Sequence, residues 1–208
     1  MARVTRVCVL RSGGEYTPAH VQWLARQVPG LKCLSDVPVP GLEIFPLRHS
    51  WPKWWAKLAL FEPGAIPGDL LYIDLDTVII GDLADFEAVG QTTMLSDFYW
   101  PDRPASGLMY ISEADKAKVW ERWLEDPSGH IARKRGRTGI GDQAFLAEVL
   151  NPARWQELLP NRVVSYKVHC RRGLPPGADV VCFHGKPRPW GVNLPWVPKL
   201  WQTASTSN

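Results

Sequence analysis

No C-x-x-C pair occurs among the four cysteines, and Cys8, Cys33, Cys170 and Cys182 stand far apart. That spacing argues against a zinc site built on thiolates. No run approaches the roughly 18 consecutive apolar residues of a membrane span, so no integral membrane segment is expected. The opening MARVTRVCVLRSGG holds too short an apolar run, broken by Arg6, for a signal peptide. A cytoplasmic protein with reduced thiols is the expectation. No internal repeat is visible. Excess charge of either sign is also missing: 24 Lys and Arg against 21 Asp and Glu leave +3, which permits an anionic ligand without demanding one.

What is present is an ordinary globular balance, 45% apolar and 22% charged residues, so a disordered chain is excluded. The 208 residues can bury one sizeable core. A single domain over residues 1–202 is expected, with the Ser/Thr-rich end 203–208 frayed. Eleven tryptophans are the unusual count. Indole rings suit sugar faces as well as protein cores, and core filling is the reading for most of them.

Along the chain, VTRVCVL (4–10) is β-branched and apolar and stops at Ser12-Gly13-Gly14, which predicts a first strand. Thr17-Pro18 has the form of an N-cap followed by Pro at the first helical position, opening a helix to about Val28. LKCL and LEIFPL predict two further strands, and PKWWAKLALF carries apolar residues at helical spacing. LLYIDL, TVII, TTMLSD, GLMYI and VVCFH read as strands. Helices are expected over 113–125, behind the cap Ser112, and over 142–150. PSGHIARKRGRTG (127–139) reads as a mobile loop, and the Pro-rich KPRPWGVNLPWVPKLW as irregular chain. Strands alternating with helices from the start predict an α/β fold, a mostly parallel sheet with helices on both faces.

Within LLYIDLDTVII, Asp74 and Asp76 interrupt an apolar run. Burying an isolated charge costs several kcal/mol or neutralises it, so the pair needs compensation. In an open α/β sheet ligands bind beyond the carboxyl ends of strands, and residues i and i+2 of extended backbone share a face. Both carboxylates therefore aim into one space, where like charges raise each other's pKa unless a cation sits by them. Mn²⁺ or Mg²⁺, which take oxygen ligands, would serve. Three readings compete: acids that cap loops or pair with Arg, a haloacid-dehalogenase-type phosphatase using the D-x-D-x-T of DLDTV, and the D-x-D of nucleotide-sugar glycosyltransferases. The phosphatase reading expects a later G-D-x-x-x-D, but Leu146 stands where its second acid belongs. It also expects the motif on the first strand, whereas some 70 residues precede it here.

The chain resembles the GT-A-fold glycosyltransferases, above all the family 8 group of glycogenin and the lipopolysaccharide galactosyltransferases. The resemblance is carried, in order, by the Gly-rich turn after the first strand, Lys57 to Phe61, LLYIDLDTVIIGDL, ASGLMYI, GDQAFL and FHGKPRPW, and it spans residues 4–190. It implies a single Rossmann-like domain whose residues 1–112 bind the nucleotide sugar, while 113–202 supply the acceptor side and a metal and phosphate loop. It further implies metal ligation by Asp74, Asp76 and His184, with Asp74 also near the donor ribose. Neutral imidazole suits such an ion. Diphosphate contact falls to Lys186 or Arg188, because HGKPRPW is two residues shorter than the family pattern and the spacing leaves both open.

By the same resemblance Asp142 and Gln143 lie beside the reacting sugar, although Asp142 also suits a helix cap. Arg11, Ser12, Gly13 and Tyr16 would cradle base and ribose, Lys57 lies near the donor, and Asp97 contacts donor sugar or acceptor. Ala105 replaces the family's Asn, a departure that keeps open a nucleotide-sugar-binding protein without catalysis. The implied activity is metal-dependent transfer from a UDP-sugar, with retention, to an acceptor hydroxyl on a saccharide, protein or nucleic acid. Arg133, Lys134, Arg135 and Arg137 form a basic run that reads first as a solvated face. A lid over the donor, or a patch for an acidic acceptor such as nucleic acid, is the alternative. Trp190, Trp196 and Trp201 either line an acceptor groove or pack on the sheet.

Overall fold

The computed structural model of the chain describes residues 4–133 and 141–200. Lys134, Arg135, Arg137, Trp201 and the frayed end expected over 203–208 lie outside the described residues. The first strand, β1, is Thr5–Leu10, and Thr17 precedes helix α1, Pro18–Ala25. The Thr17 amide donates to Nδ1 of His20 at 3.0 Å, which satisfies one of the groups that a helix start leaves unpaired. Strands β2 (Lys32–Ser35) and β3 (Ile44–Pro46) follow in the expected places. PKWWAKLALF forms a tighter helix than its period predicts, a 3₁₀ helix over Lys53–Phe61. Lys53 enters it at φ 55, and Glu62 behind it is extended at ψ 118. With Pro52 and Pro63 outside both ends, the segment is clamped between non-helical residues.

Strand β4 (Leu70–Ile73) is buried throughout and ends at Asp74, and β5 (Thr77–Ile79) resumes beyond Asp76. Short helix α2 (Ala84–Glu87) leads to β6 (Thr93–Ser96) and β7 (Pro104–Ile111). Helix α3 (Glu113–Leu124) starts where Ser112 accepts the amide of Ala114. The expected loop at 127 is a helix at first: α4 spans Pro127–Ala132. Asp126 Oδ1 caps it by accepting the Gly129 amide at 2.8 Å, and Pro127 fits the first helical position. Helix α5 (Asp142–Val149) is followed by β8 (Ala153–Arg154), α6 (Trp155–Leu158), β9 (Val163–Ser165), α7 (Tyr166–His169) and β10 (Val180–Cys182).

Seven strands form the main sheet in the order β3-β2-β1-β4-β7-β6-β8. Pairings from β3 through β4 are parallel, both pairings of β7 are antiparallel, and β6 with β8 is parallel again. A second sheet, β5-β10-β9, extends from the edge where β4 stops. One core cluster joins α1, α6, the second sheet and one face of the main sheet around Trp23 and Trp155. Another packs the 3₁₀ helix, α3 and α5 on the opposite face around Trp55 and Trp123. Helices therefore cover both faces, as expected for an α/β sheet. Trp23, Trp55, Trp123 and Trp155 fill these cores, Trp190 and Trp196 pack against the first of them, and Trp51 and Trp120 against the second. All four cysteines are buried and free. No helix among the described residues is long and apolar enough to cross a membrane.

Candidate functional site

Because β1 and β4 run parallel, their carboxyl ends open on one edge. A cavity of about 900 Å³ lies there, the position at which open α/β sheets take ligands. Its walls come from the loop after β1 (Arg11–Tyr16), the turn after β4 (Asp74–Thr77), the end of β6 (Asp97, Phe98), the start of β7 (Ala105–Gly107) and the chain after β10 (Phe183–Gly185). The 3₁₀ helix contributes Lys57, and α5 contributes Asp142 and Gln143. Thus Arg11, Ser12, Gly13, Tyr16, Lys57, Asp74, Asp76, Asp97, Asp142, Gln143, His184 and Arg188 all line one cavity. Lys186 lies outside its lining, with 76% of its side chain exposed.

The two acids are compensated by different cations. Asp74 Oδ1 lies 3.1 Å from Nζ of Lys57 and accepts the hydroxyl of Tyr72. Asp76, 7% exposed, pairs through Oδ2 with Nη1 of Arg188. Compensation at Asp76 is incomplete: burial and the neighbouring Asp74 charge push its carboxyl up to about 7, against the pull of Arg188 and Lys57. Lys57 also reaches Asp142 Oδ2 at 3.5 Å, and Ser106 Oγ donates to that oxygen at 2.7 Å. Burial opposes the charge of Lys57, yet Asp142 and Asp74 outweigh it and raise its pKa. Asp142 is itself raised, by burial first, while Lys57 and Ser106 pull it down. Lys57, Ser106, Asp74 and Asp142 are therefore one polar network in the cavity wall, each polar group holding the next.

Gly141 fixes how that network meets the cavity wall. Its φ of 70 lies in the left-handed region, and a Cβ there would overlap Nε1 of Trp54. Only glycine lets α5 begin against this indole. On the opposite wall His184 shares a 2.7 Å hydrogen bond between Nε2 and Ser165 Oγ, and its ring stacks on Phe98 at 5.5 Å. Burial and the nearby Lys167 charge lower its pKa, so the ring is neutral near pH 7.

Lys186 and Arg188 converge on one acid that the motifs do not reveal. Glu15 accepts from Lys186 Nζ at 2.6 Å and from Arg188 Nη2 at 2.8 Å. These hydrogen bonds, Arg188 first, hold its carboxyl down to about 2. The Arg188 guanidinium also lies 5.3 Å over the ring of Tyr16. Sequence reasoning missed Glu15, Tyr72 and Ser165. Tyr72 was within reach, since it shares a strand face with Asp74 two residues on. For Glu15 and Ser165 no local pattern marks the role, because their partners are 173 and 19 residues away.

A divalent cation at this edge would need hard oxygen or neutral nitrogen ligands. Asp74 and Asp76 supply hard oxygen ligands to the same cavity, Asp76 is short of positive charge, and His184 is neutral as a metal ligand must be. The acidic pair fits such an ion. His184 lines the cavity with them, but among the described residues no group of three His, Cys, Asp or Glu is drawn close enough to hold a metal.

No protein-family model matches the chain, and no curated protein matches it by sequence. Solved structures do match its fold. The apo form of the glycosyltransferase GlyE of Streptococcus pneumoniae TIGR4 superposes with a TM-score of 0.62 at 15% identity, covering 90% of this chain and 56% of GlyE. The galactosyltransferase LgtC, in complex with donor and acceptor sugar analogs, gives 0.55 at 13% identity over 90% of this chain and 89% of LgtC. The bifunctional glycosyltransferase WbbM gives 0.55 at 12% identity, with 90% and 46% covered. The chain thus spans about half the length of GlyE and of WbbM. At these identities the likeness is one of fold, and that fold is the glycosyltransferase fold expected from the motifs.

Proposed function

We propose that this chain is a glycosyltransferase that moves a sugar from a nucleoside diphosphate sugar to an acceptor hydroxyl. UDP is the donor nucleotide and the anomeric configuration is retained. One observation carries the reading: the acidic pair Asp74 and Asp76, the second under-compensated although it is paired with Arg188, lines a cavity at the strand ends of a glycosyltransferase fold. A Mn²⁺ or Mg²⁺ ion held by Asp74 and Asp76, with His184 beside them, would supply Lewis-acid neutralisation of the diphosphate.

The chain's own residues do the rest. Arg188, and Lys186 on swinging away from Glu15, neutralise the charge that builds on the diphosphate as the sugar C–O bond breaks. Arg11, Ser12, Gly13 and Tyr16 form the wall nearest β1, where base and ribose rest. Asp142 and Gln143 open α5 and face the sugar, and Lys57 with Ser106 holds the Asp142 carboxylate in one orientation. A fixed acceptor of hydrogen bonds positions the sugar hydroxyls without mobility of its own. Bond-making is then balanced without a protein nucleophile. The acceptor oxygen bonds to the anomeric carbon, and its proton passes to the departing phosphate oxygen.

The test is release of free UDP from UDP-glucose and UDP-galactose with Mn²⁺. Release that Asp76→Asn removes supports the proposal. Binding of both nucleotide sugars with no release would leave a binding protein instead, the outcome that Ala105 keeps open.

A further inference from the structure

The exposed large hydrophobics Ile80, Leu124 and Leu158 are aliphatic and none lines the cavity, whereas the aromatic ones stand in its wall or next to its lining residues in the chain. Tyr99 and Trp100 are 55% and 58% exposed and directly follow the cavity-lining Asp97 and Phe98. Trp54, 43% exposed, stands in the cavity wall. Scattered single apolar residues need no explanation, whereas adjacent exposed aromatics mark a binding surface.

The turn that carries Tyr99 and Trp100 is built rigidly. Asp97 Oδ1 accepts the amides of Tyr99 at 2.8 Å and Trp100 at 3.0 Å. The Asp97 amide donates to the Arg103 carbonyl at 2.8 Å, and the Arg103 amide to the Trp100 carbonyl at 2.9 Å. The two rings meet edge to face with centroids 6.1 Å apart. Tyr99 and His184 meet edge to face with ring centroids 5.5 Å apart, and the Arg103 guanidinium lies 5.2 Å from the Trp100 ring. Rings held in place before binding lose little freedom when a ligand covers them.

We propose that Tyr99 and Trp100 are the acceptor platform and that the acceptor is a saccharide. This rests on the glycosyl-transfer reading, because it places the acceptor hydroxyl at the mouth of the donor cavity. A pyranose has an apolar C–H face and a rim of hydroxyls. The Trp100 ring takes the face, and Asp97 and Arg103 frame the patch with the hydrogen-bonding groups that the rim needs. A protein or lipid partner would want a wider apolar surface than two rings bordered by charge.

An array of immobilised oligosaccharides, with unglycosylated peptides and anionic vesicles beside them, tests it in the presence of UDP and Mn²⁺. Wild-type protein is expected to retain at least one saccharide. Tyr99→Ala and Trp100→Ala should each weaken that retention about ten-fold, while Trp100→Phe keeps it within three-fold. Thermal stabilisation by UDP with Mn²⁺ should be unchanged in Trp100→Ala and Trp100→Phe, since Trp100 lies outside the cavity lining. Retention of peptides or vesicles in place of saccharides overturns the proposal, as does undiminished retention by the alanine variants. So does failure to retain any saccharide while UDP still stabilises the protein. Loss of stabilisation by UDP in the wild type would instead strike the underlying glycosyl-transfer reading, and the platform with it.

Discussion

Asp76→Asn separates what the acidic pair does for the fold from what it does for a ligand. The wild-type carboxyl titrates near 7 in the folded chain and at its ordinary 3.8 when unfolded. The folded state therefore holds this proton more tightly. Stability is greatest below 3.8 and declines as pH rises, until the carboxyl is ionised above about 7. At 1.36 kcal/mol per pH unit the full penalty is about 4 kcal/mol, of which about 3 kcal/mol falls between pH 5 and pH 8. Asparagine keeps the shape and cannot ionise. Whatever it forfeits at Arg188 is constant over this range, because the guanidinium stays charged. In EDTA, urea unfolding at pH 5 and pH 8 should show the variant gaining about 3 kcal/mol on wild type between the two. A stability difference that is the same at both pH values, or a wild type that gains on the variant as pH rises, would refute an under-compensated carboxylate at this position.

Glu15→Gln frees Lys186 and Arg188 of a competing carboxylate, so UDP affinity should tighten about five-fold by calorimetry. Weaker binding would show that Glu15 positions these cations for the diphosphate instead of competing with it. Gly141→Ala forces a side chain into left-handed backbone and against Trp54, and should lower stability by about 1–3 kcal/mol in thermal unfolding. Trp155 donates from Nε1 to the Leu108 carbonyl at 3.0 Å inside the core. Trp155→Phe should therefore cost about 1–3 kcal/mol in urea unfolding, against almost nothing for exposed Trp100→Phe.

Elements with an uninterrupted signal were readable from residues alone. Buried β4, bounded by Gly68 and Asp74, and β1, ending before Ser12, have strand composition and clear stops. α3 carries its cap in Ser112. Among the short elements, α2, β8, α6, β9 and α7 went unread, because they carry neither a period nor a bounded apolar run such as that of β4. α4 was hidden by its neighbours: Pro, Ser and Gly look like loop chemistry, although Asp126-Pro127 is also a helix start.

At the site, Asp74 and Asp76 were conspicuous because acids are costly inside a strand run. Their partners could not be read the same way, since Lys57 and Arg188 reach them from 17 and 112 residues away. The choice that spacing left open between Lys186 and Arg188 takes a geometric form. Arg188 lines the cavity and Lys186 reaches out to Glu15.

The most direct test is thermal unfolding with UDP, GDP and CDP, each with and without Mn²⁺. A ligand that binds only the folded state at 100 times its Kd adds about 2.7 kcal/mol, or about 5 °C or more in Tm for a chain of this size. UDP with Mn²⁺ should produce that shift in wild type and lose it in Asp76→Asn. No shift with any of the three nucleotides, or one equally large in EDTA and in the variant, would contradict a cation-bridged diphosphate at Asp74 and Asp76.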